Sequence, residues 1–222
     1  AVLAHALRGF NSGMDLELAS YASGEAQAAA IADDIAWHTH DIDDGLRAGL
    51  IETRDLAEVR LVARVLDGMP GGAGCDPTRE IYEITRRLIT IVIADTVGEA
   101  RRRMALLSPQ HPDDIRAAEG VTVTFSAAMQ AELDELRSFL FARLYRHPRV
   151  MSVMDGAQAI VRDLVLAYGS GVEAMPEAWQ VQANVAEERA RLRLVGDFVA
   201  GMTDRFAIAE HRRLFDVTPE LR

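Results

Sequence analysis

Apolar residues return at three- and four-residue intervals along almost the whole chain, the repeat of helices that bury one face. The pattern predicts a long helix from Ser23-Gly24-Glu25 to Leu50, with Ser23 as its N-cap, and a second amphipathic stretch from Asp55 to Leu66. Gly68-Met69-Pro70-Gly71-Gly72-Ala73-Gly74 reads as a flexible loop. Asp76-Pro77-Thr78 then starts a long helix to about Leu107, because proline is favoured in a first turn. Pro109 to Glu119 is a short helix or turn. Val121 to Phe125 has strand-like residues, but an isolated strand has no partner, so it is expected to be an extended connector. Ser126 to His147 is helical, and Pro148 bends the chain into a further helix to Tyr168. Gly169-Ser170-Gly171 and Pro176 form a loop. Glu187 to His211 closes the chain as a helical region weakened at Gly196 and Gly201. The expectation is an all-α protein of about seven helices, with no repeat at a solenoid period.

Composition narrows this class. The 222 residues can bury a sizeable core, and 49% hydrophobic with 26% charged residues is the balance of a globular protein. The longest apolar run, Leu88 to Ala94, falls far short of the roughly 20 residues that span a bilayer. The opening Ala1-Val2-Leu3-Ala4-His5-Ala6-Leu7-Arg8 lacks the layout of a secretory signal. A lone cysteine, Cys75, excludes an internal disulfide and fits a reducing, cytoplasmic setting. A net charge of −10 argues against general nucleic-acid binding, which needs a basic surface, but leaves room for a nucleotide pocket. The chain opens in mid-pattern on Ala1, which suggests a portion of a longer protein.

Candidate chemistry concentrates in Asp33-Asp34-Ile35-Ala36-Trp37-His38-Thr39-His40-Asp41-Ile42-Asp43-Asp44. Residues four apart share a helix face, so Asp33, Trp37 and Asp41 form one stripe, with Ala26, Ala29 and Ala30 leading into it. Asp34 and His38 form a neighbouring stripe. Two carboxylates two turns apart around an aromatic suit a divalent metal together with a sugar or phosphate. The competing reading is a solvated acidic face of Asp41, Asp43 and Asp44 near Arg47. The His40-Asp41 dipeptide is a poor metal pair, because no other histidine stands at a matching helical spacing.

At these residues the chain resembles bacterial deoxyguanosinetriphosphate triphosphohydrolase-like proteins of the HD superfamily. The resemblance is carried by Glu25-Ala26-Gln27, by Ile31 to Ala36 and by His40 to Leu50. It continues through Phe139-Leu140 to Val150, Gln158 to Tyr168 and Asp197 to Ala207, so it covers nearly the whole chain. It implies an HD-domain-like helical bundle whose N-terminal part lies outside this sequence. Residues 1–68 would be the remainder of the HD core and 75–222 a helical C-terminal region, within one all-helical domain.

The resemblance also implies roles. Asp33 matches the family's last metal ligand. Asp41 matches the Asp that contacts the deoxyribose or its phosphate neighbourhood, and Trp37 stands where the family has a tyrosine near the substrate. Trp37 keeps a stacking face and loses a phenolic hydroxyl. Tyr145 and Val150 match nucleobase-pocket positions, against a plainer reading as helix-end packing. The family's other ligands, a His and a His-Asp pair, and its catalytic histidine are expected upstream. The implied activity is hydrolysis of a dNTP, dGTP among them, to a deoxynucleoside and inorganic triphosphate, with Mg or Mn and in a homo-oligomer such as a hexamer. Two other classes remain open: a non-catalytic all-α domain that binds a nucleotide or effector, and an oligomerisation module that uses faces such as Leu88 to Ala94.

Overall fold

A computed structural model describes residues 19–69, 76–184 and 187–221. The opening residues and positions 70–75, on which the expected absence of a leader, the core of the Gly-rich loop and the reading of Cys75 rest, lie outside that range. Among the described residues there are ten α-helices and no strand. They are α1 (Gly24–Arg47), α2 (Thr53–Leu56), α3 (Arg60–Asp67), α4 (Pro77–Leu107), α5 (Pro112–Arg116), α6 (Ala127–Leu140), α7 (Pro148–Ser170), α8 (Glu177–Asn184), α9 (Glu188–Ala200) and α10 (Asp204–Leu214). A π turn, Phe141–Tyr145, extends α6, and a single 3-10 turn, Val172–Ala174, follows α7. The count exceeds seven because short helices escape periodicity. The Asp55 to Leu66 stretch breaks into α2 and α3, α8 is only eight residues long, and Gly201 divides the closing stretch into α9 and α10. No helix among the described residues is long and apolar enough to cross a membrane.

The caps follow the local chemistry. Ser23 Oγ accepts the Ala26 N–H, and Asp76 Oδ1 accepts those of Thr78 and Arg79 at 2.8 and 3.1 Å, with Pro77 in the first turn. His147 Nδ1 accepts the Arg149 N–H ahead of Pro148, so the expected break there is a capped helix start. α1 ends in a Schellman motif: Leu50 N–H donates to the Gly45 carbonyl and Gly49 N–H to that of Leu46. Gly49 takes φ +63°, the left-handed conformation this stop requires.

The described residues up to Leu144 form one compact unit and those from Tyr145 a second. In the first unit α1 packs on α4, α5 and α6, and α3 packs on α4 and α6. Ile42, Leu56, Leu61, Val62, Ile84, Leu88, Val92 and Leu136 are buried there. In the apolar run of α4, Leu88 and Val92 are therefore core, whereas Ile93 on the opposite side is exposed. The connector at 121–125 is irregular, as expected, and Gln27 holds it against α1. The Gln27 Oε1 accepts the N–H groups of Thr122 and Val123 at 2.7 and 3.0 Å, while its amide donates to the Ala22 carbonyl at 2.8 Å. Asp95 of α4 receives the Ser126 N–H and hydroxyl at 2.8 and 2.7 Å, which anchors the start of α6.

The second unit is built on α7, with α9 and α10 packed along it and α8 against α9. Its core is Ile160, Leu164, Tyr168, Met175, Val195, Phe198 and Val199. Tyr168 is fully buried and meets the Phe198 ring edge-on at 5.2 Å. The chain's last described residues lie on α7 at Gly156, where a Cβ would come within 2.9 Å of Leu221 Cδ2. Gly201 serves its own turn, since its Cβ position faces the Asp197 carbonyl at 3.3 Å and not another helix. The cap of α10 is Thr203, whose hydroxyl accepts the Phe206 N–H.

Candidate nucleotide-facing wall on the first helix

α1 divides its residues sharply between two sides. Gln27, Ile35, His38, Thr39, Ile42 and Gly45 are buried. Ala26, Ala29, Ala30, Asp33, Trp37, His40 and Asp44 are exposed, and Asp41 is half-buried at the edge. The helix runs unbroken through all of them. Its 3.6-residue turn therefore sets Asp33, Trp37 and Asp41 along one side, with Asp41 drifting toward the buried edge.

The polar groups of α1 differ in how they are satisfied. The His38 Nδ1–H donates to the Asp34 carbonyl at 2.6 Å, a bond within the helix that fixes the ring against the core. Thr39 returns its hydroxyl to the Ile35 and Ala36 carbonyls at 2.8 and 3.0 Å. Asp43 receives the Arg47 guanidinium in a fork, at 2.6 and 3.1 Å. Part of the acidic face is thus the internally paired surface that the plainer reading expects. Asp33 is different: among the described residues its side chain has no hydrogen bond or ion pair. Beside it, one turn further along, stands Trp37, 59% exposed. A large indole left in water with a partner-free carboxylate one turn away is the least self-sufficient surface of α1.

The sequence pattern set His40 aside as a metal partner. The structure places it on the Asp33 face, exposed, two turns further along, or roughly 10 Å at 1.5 Å per residue. That span is too long for both to ligate one ion. Among the described residues no group of three or more His, Cys, Asp or Glu side chains is arranged to hold a metal ion. A catalytic metal needs about three protein ligands, so the described residues do not form a divalent-metal site by themselves. Tyr145 and Val150 fall in the second unit, either side of Pro148. Tyr145 ends the π turn, Val150 lies in the first turn of α7, and both are half-buried.

Gln27 is the residue here whose importance the pattern concealed. Its signal was present: it is a lone long polar side chain in register with Ile35 and Ile42 on the inner side. A buried position of that kind demands partners, and the two N–H groups of the 121–125 connector provide them.

The helical architecture and the site define a class once compared with known proteins. A family model described as a phosphohydrolase-associated domain matches residues 123–213, from the connector before α6 into α10. Relatives with long matches share one name. Deoxyguanosinetriphosphate triphosphohydrolase-like protein 1 of Mesorhizobium japonicum is 47% identical over 217 residues, 97% of this chain and 54% of that protein. The deoxyguanosinetriphosphate triphosphohydrolase-like protein of Sinorhizobium medicae is 48% identical over 94% of this chain and 52% of its own length. That of Brucella anthropi is 46% identical over 96% and 53%. The chain belongs to the deoxyguanosinetriphosphate triphosphohydrolase-like family and spans about half the length of the curated relatives it matches.

Proposed function

We propose that this chain supplies one wall of the nucleotide site of a metal-dependent phosphohydrolase. The reaction is cleavage of a dNTP, dGTP or another, to a deoxynucleoside and inorganic triphosphate. The observation that carries the reading is Asp33, without a partner among the described residues, beside the exposed Trp37, on a chain whose relatives bear the triphosphohydrolase-like name.

Asp33 is the carboxylate available to a divalent cation, Mg or Mn, whose remaining ligands would come from outside the described residues. When bound, such a cation polarises a phosphoryl oxygen and acidifies water. The residues of this chain bind and orient. Trp37 presents a flat apolar face that excludes water from one side of the sugar, and its indole N–H is a donor where the family pattern has a phenol. Asp41, eight residues from Asp33, accepts a hydrogen bond from a deoxyribose hydroxyl and so fixes where the phosphates fall. For Tyr145 and Val150 a nucleobase role rests on the resemblance alone. A cytoplasmic setting suits the lone cysteine and a dNTP substrate. Assembly of copies, a hexamer included, belongs to the same proposal and is supported by the exposed Tyr82, Ile93 and Val97 on α4.

The test is Asp33→Ala in the complete protein. Metal content, dNTP binding and release of deoxynucleoside are measured together. The expectation is loss of metal and of turnover, with the helical content unchanged. Unaltered metal content and rate would remove Asp33 from the site. Nucleotide binding without turnover in the unaltered protein would favour the effector-binding reading instead.

A further inference from the structure

Where α3 meets α4, in the first unit, a cavity of about 360 Å³ is lined by Arg64, Val65, Arg86, Arg87, Thr90 and Ile91. Three guanidiniums from two helices converge on one concave surface of a chain whose net charge is −10. Their partners are two carboxylates. Arg64 forks onto Glu132 of α6, with both bonds at 2.7 Å. Arg86 and Arg87 share Glu83: Arg86 donates at 2.9 and 2.7 Å, and Arg87 Nε at 2.6 Å. Arg87 Nη1 also donates to the Gly68 carbonyl at 2.8 Å. Three guanidiniums against two carboxylates leave one positive charge in excess at the cavity.

A guanidinium has five N–H donors. The bonds above leave Arg64 Nε, Arg86 Nη1 and Arg87 Nη2 uncommitted to those carboxylates. The two guanidiniums on Glu83 hold its carboxyl down to about 2, so the carboxylate remains charged and keeps them in place. Among the described residues the cluster is therefore preorganised, with spare donors, beside the apolar Val65 and Ile91. Stability alone does not require this convergence, because exposed ion pairs contribute little.

We propose that the cavity between α3 and α4 binds a phosphate-bearing anion, through Arg64 on one side and Arg86 with Arg87 on the other. The planar guanidinium fork matches a phosphate oxygen pair better than a spherical halide. The site lies on different helices from Asp33, and its occupancy does not depend on the proposed activity.

The probe is inorganic pyrophosphate without divalent metal, titrated into the complete protein by calorimetry against a sodium chloride control of equal ionic strength. Saturable one-to-one binding is expected. Arg86→Gln and, separately, Arg64→Gln should each weaken it by about tenfold. Arg86→Lys keeps the charge, loses the fork and should fall between. Arg101→Gln, an exposed α4 arginine outside the cavity, should leave it unchanged, while circular dichroism confirms that the helices persist. ADP binding more tightly than pyrophosphate would identify the source as a nucleotide, and equal binding a free polyphosphate. Absence of saturable binding overturns the proposal. So does equal weakening by Arg101→Gln, which would mean general attraction, or wild-type affinity in both Arg64→Gln and Arg86→Gln.

Discussion

The two compact units treat their polar residues in opposite ways. In the second, the groups that would attract a search for catalytic chemistry are occupied internally. The Tyr168 hydroxyl donates to Glu210 at 2.6 Å, and Arg213 donates to the same carboxylate and to the Ala174 carbonyl at 2.8 Å. The buried His211 donates from Nε2 to Asp163 at 3.2 Å, has Thr218 Oγ1 3.0 Å from Nδ1, and stacks on Phe215. In the first unit, α1 turns to solvent a largely exposed Trp37 and an Asp33 whose side chain has no partner among the described residues. Polar groups that satisfy one another inside a core stabilise and rigidify. Groups left to water at a surface are available to something else. The contrast teaches that burial and partner count separate candidate binding groups from scaffold more cleanly than residue type, since by type alone the His-Asp and Tyr-Glu-Arg sets look the more catalytic.

If that division is right, substitutions in the second unit should register in stability and those on the α1 face in binding. Tyr168→Ala should have the largest effect. It removes a fully buried ring and leaves Glu210 without one donor, so a loss of about 3–5 kcal/mol is expected in urea unfolding. Gln27→Ala is the exception in the first unit, because it strips two connector N–H groups of their acceptor. It should cost about 2–3 kcal/mol, with increased hydrogen exchange at Thr122 and Val123.

Tyr168→Phe should cost less, about 1 kcal/mol. It also isolates a pH effect. Burial, and then the Glu210 carboxylate, push the Tyr168 phenol up from 10.0 to about 12. The folded state therefore holds this proton more tightly than the unfolded state. The contribution is complete below pH 10 and is lost as pH rises from there toward 12. Stability should decline across that window in the unaltered chain, and Tyr168→Phe should lack that component. An identical decline in both would assign it elsewhere.

Trp37→Ala is the smallest expected effect on folding, within about 0.5 kcal/mol, because the side chain is mostly in water. The same substitution should weaken dNTP binding in the complete protein. A large loss of stability with unchanged binding would make Trp37 part of the scaffold and erase the contrast.

Much of the architecture was legible along the chain. Ser23, Asp76 with Pro77, and Pro148 mark helix starts through bonds made within a few residues, and the structure keeps each one. The broken closing stretch was foreseeable at Gly201, whereas the division of the 55–66 stretch into α2 and α3 was not, since a break of three residues hardly disturbs a helical repeat. The Asp33-Trp37-Asp41 stripe was likewise a matter of spacing. Which acids of α1 have a partner was not, because Asp43 finds Arg47 through side-chain geometry while Asp33 finds no partner among the described residues.

The sequence by itself determined the all-α class, most helix boundaries and the side of α1 on which each acid stands. These follow from periodicity and caps, which act over one or two turns. Only the tertiary structure decided that Gln27 binds a connector some 95 residues away, that Asp163 and Thr218 flank His211, and that Arg64 and Arg86 face one cavity. Such groupings depend on which helices pack together, and that is settled by the shape and burial of whole apolar faces, a property that no local spacing encodes.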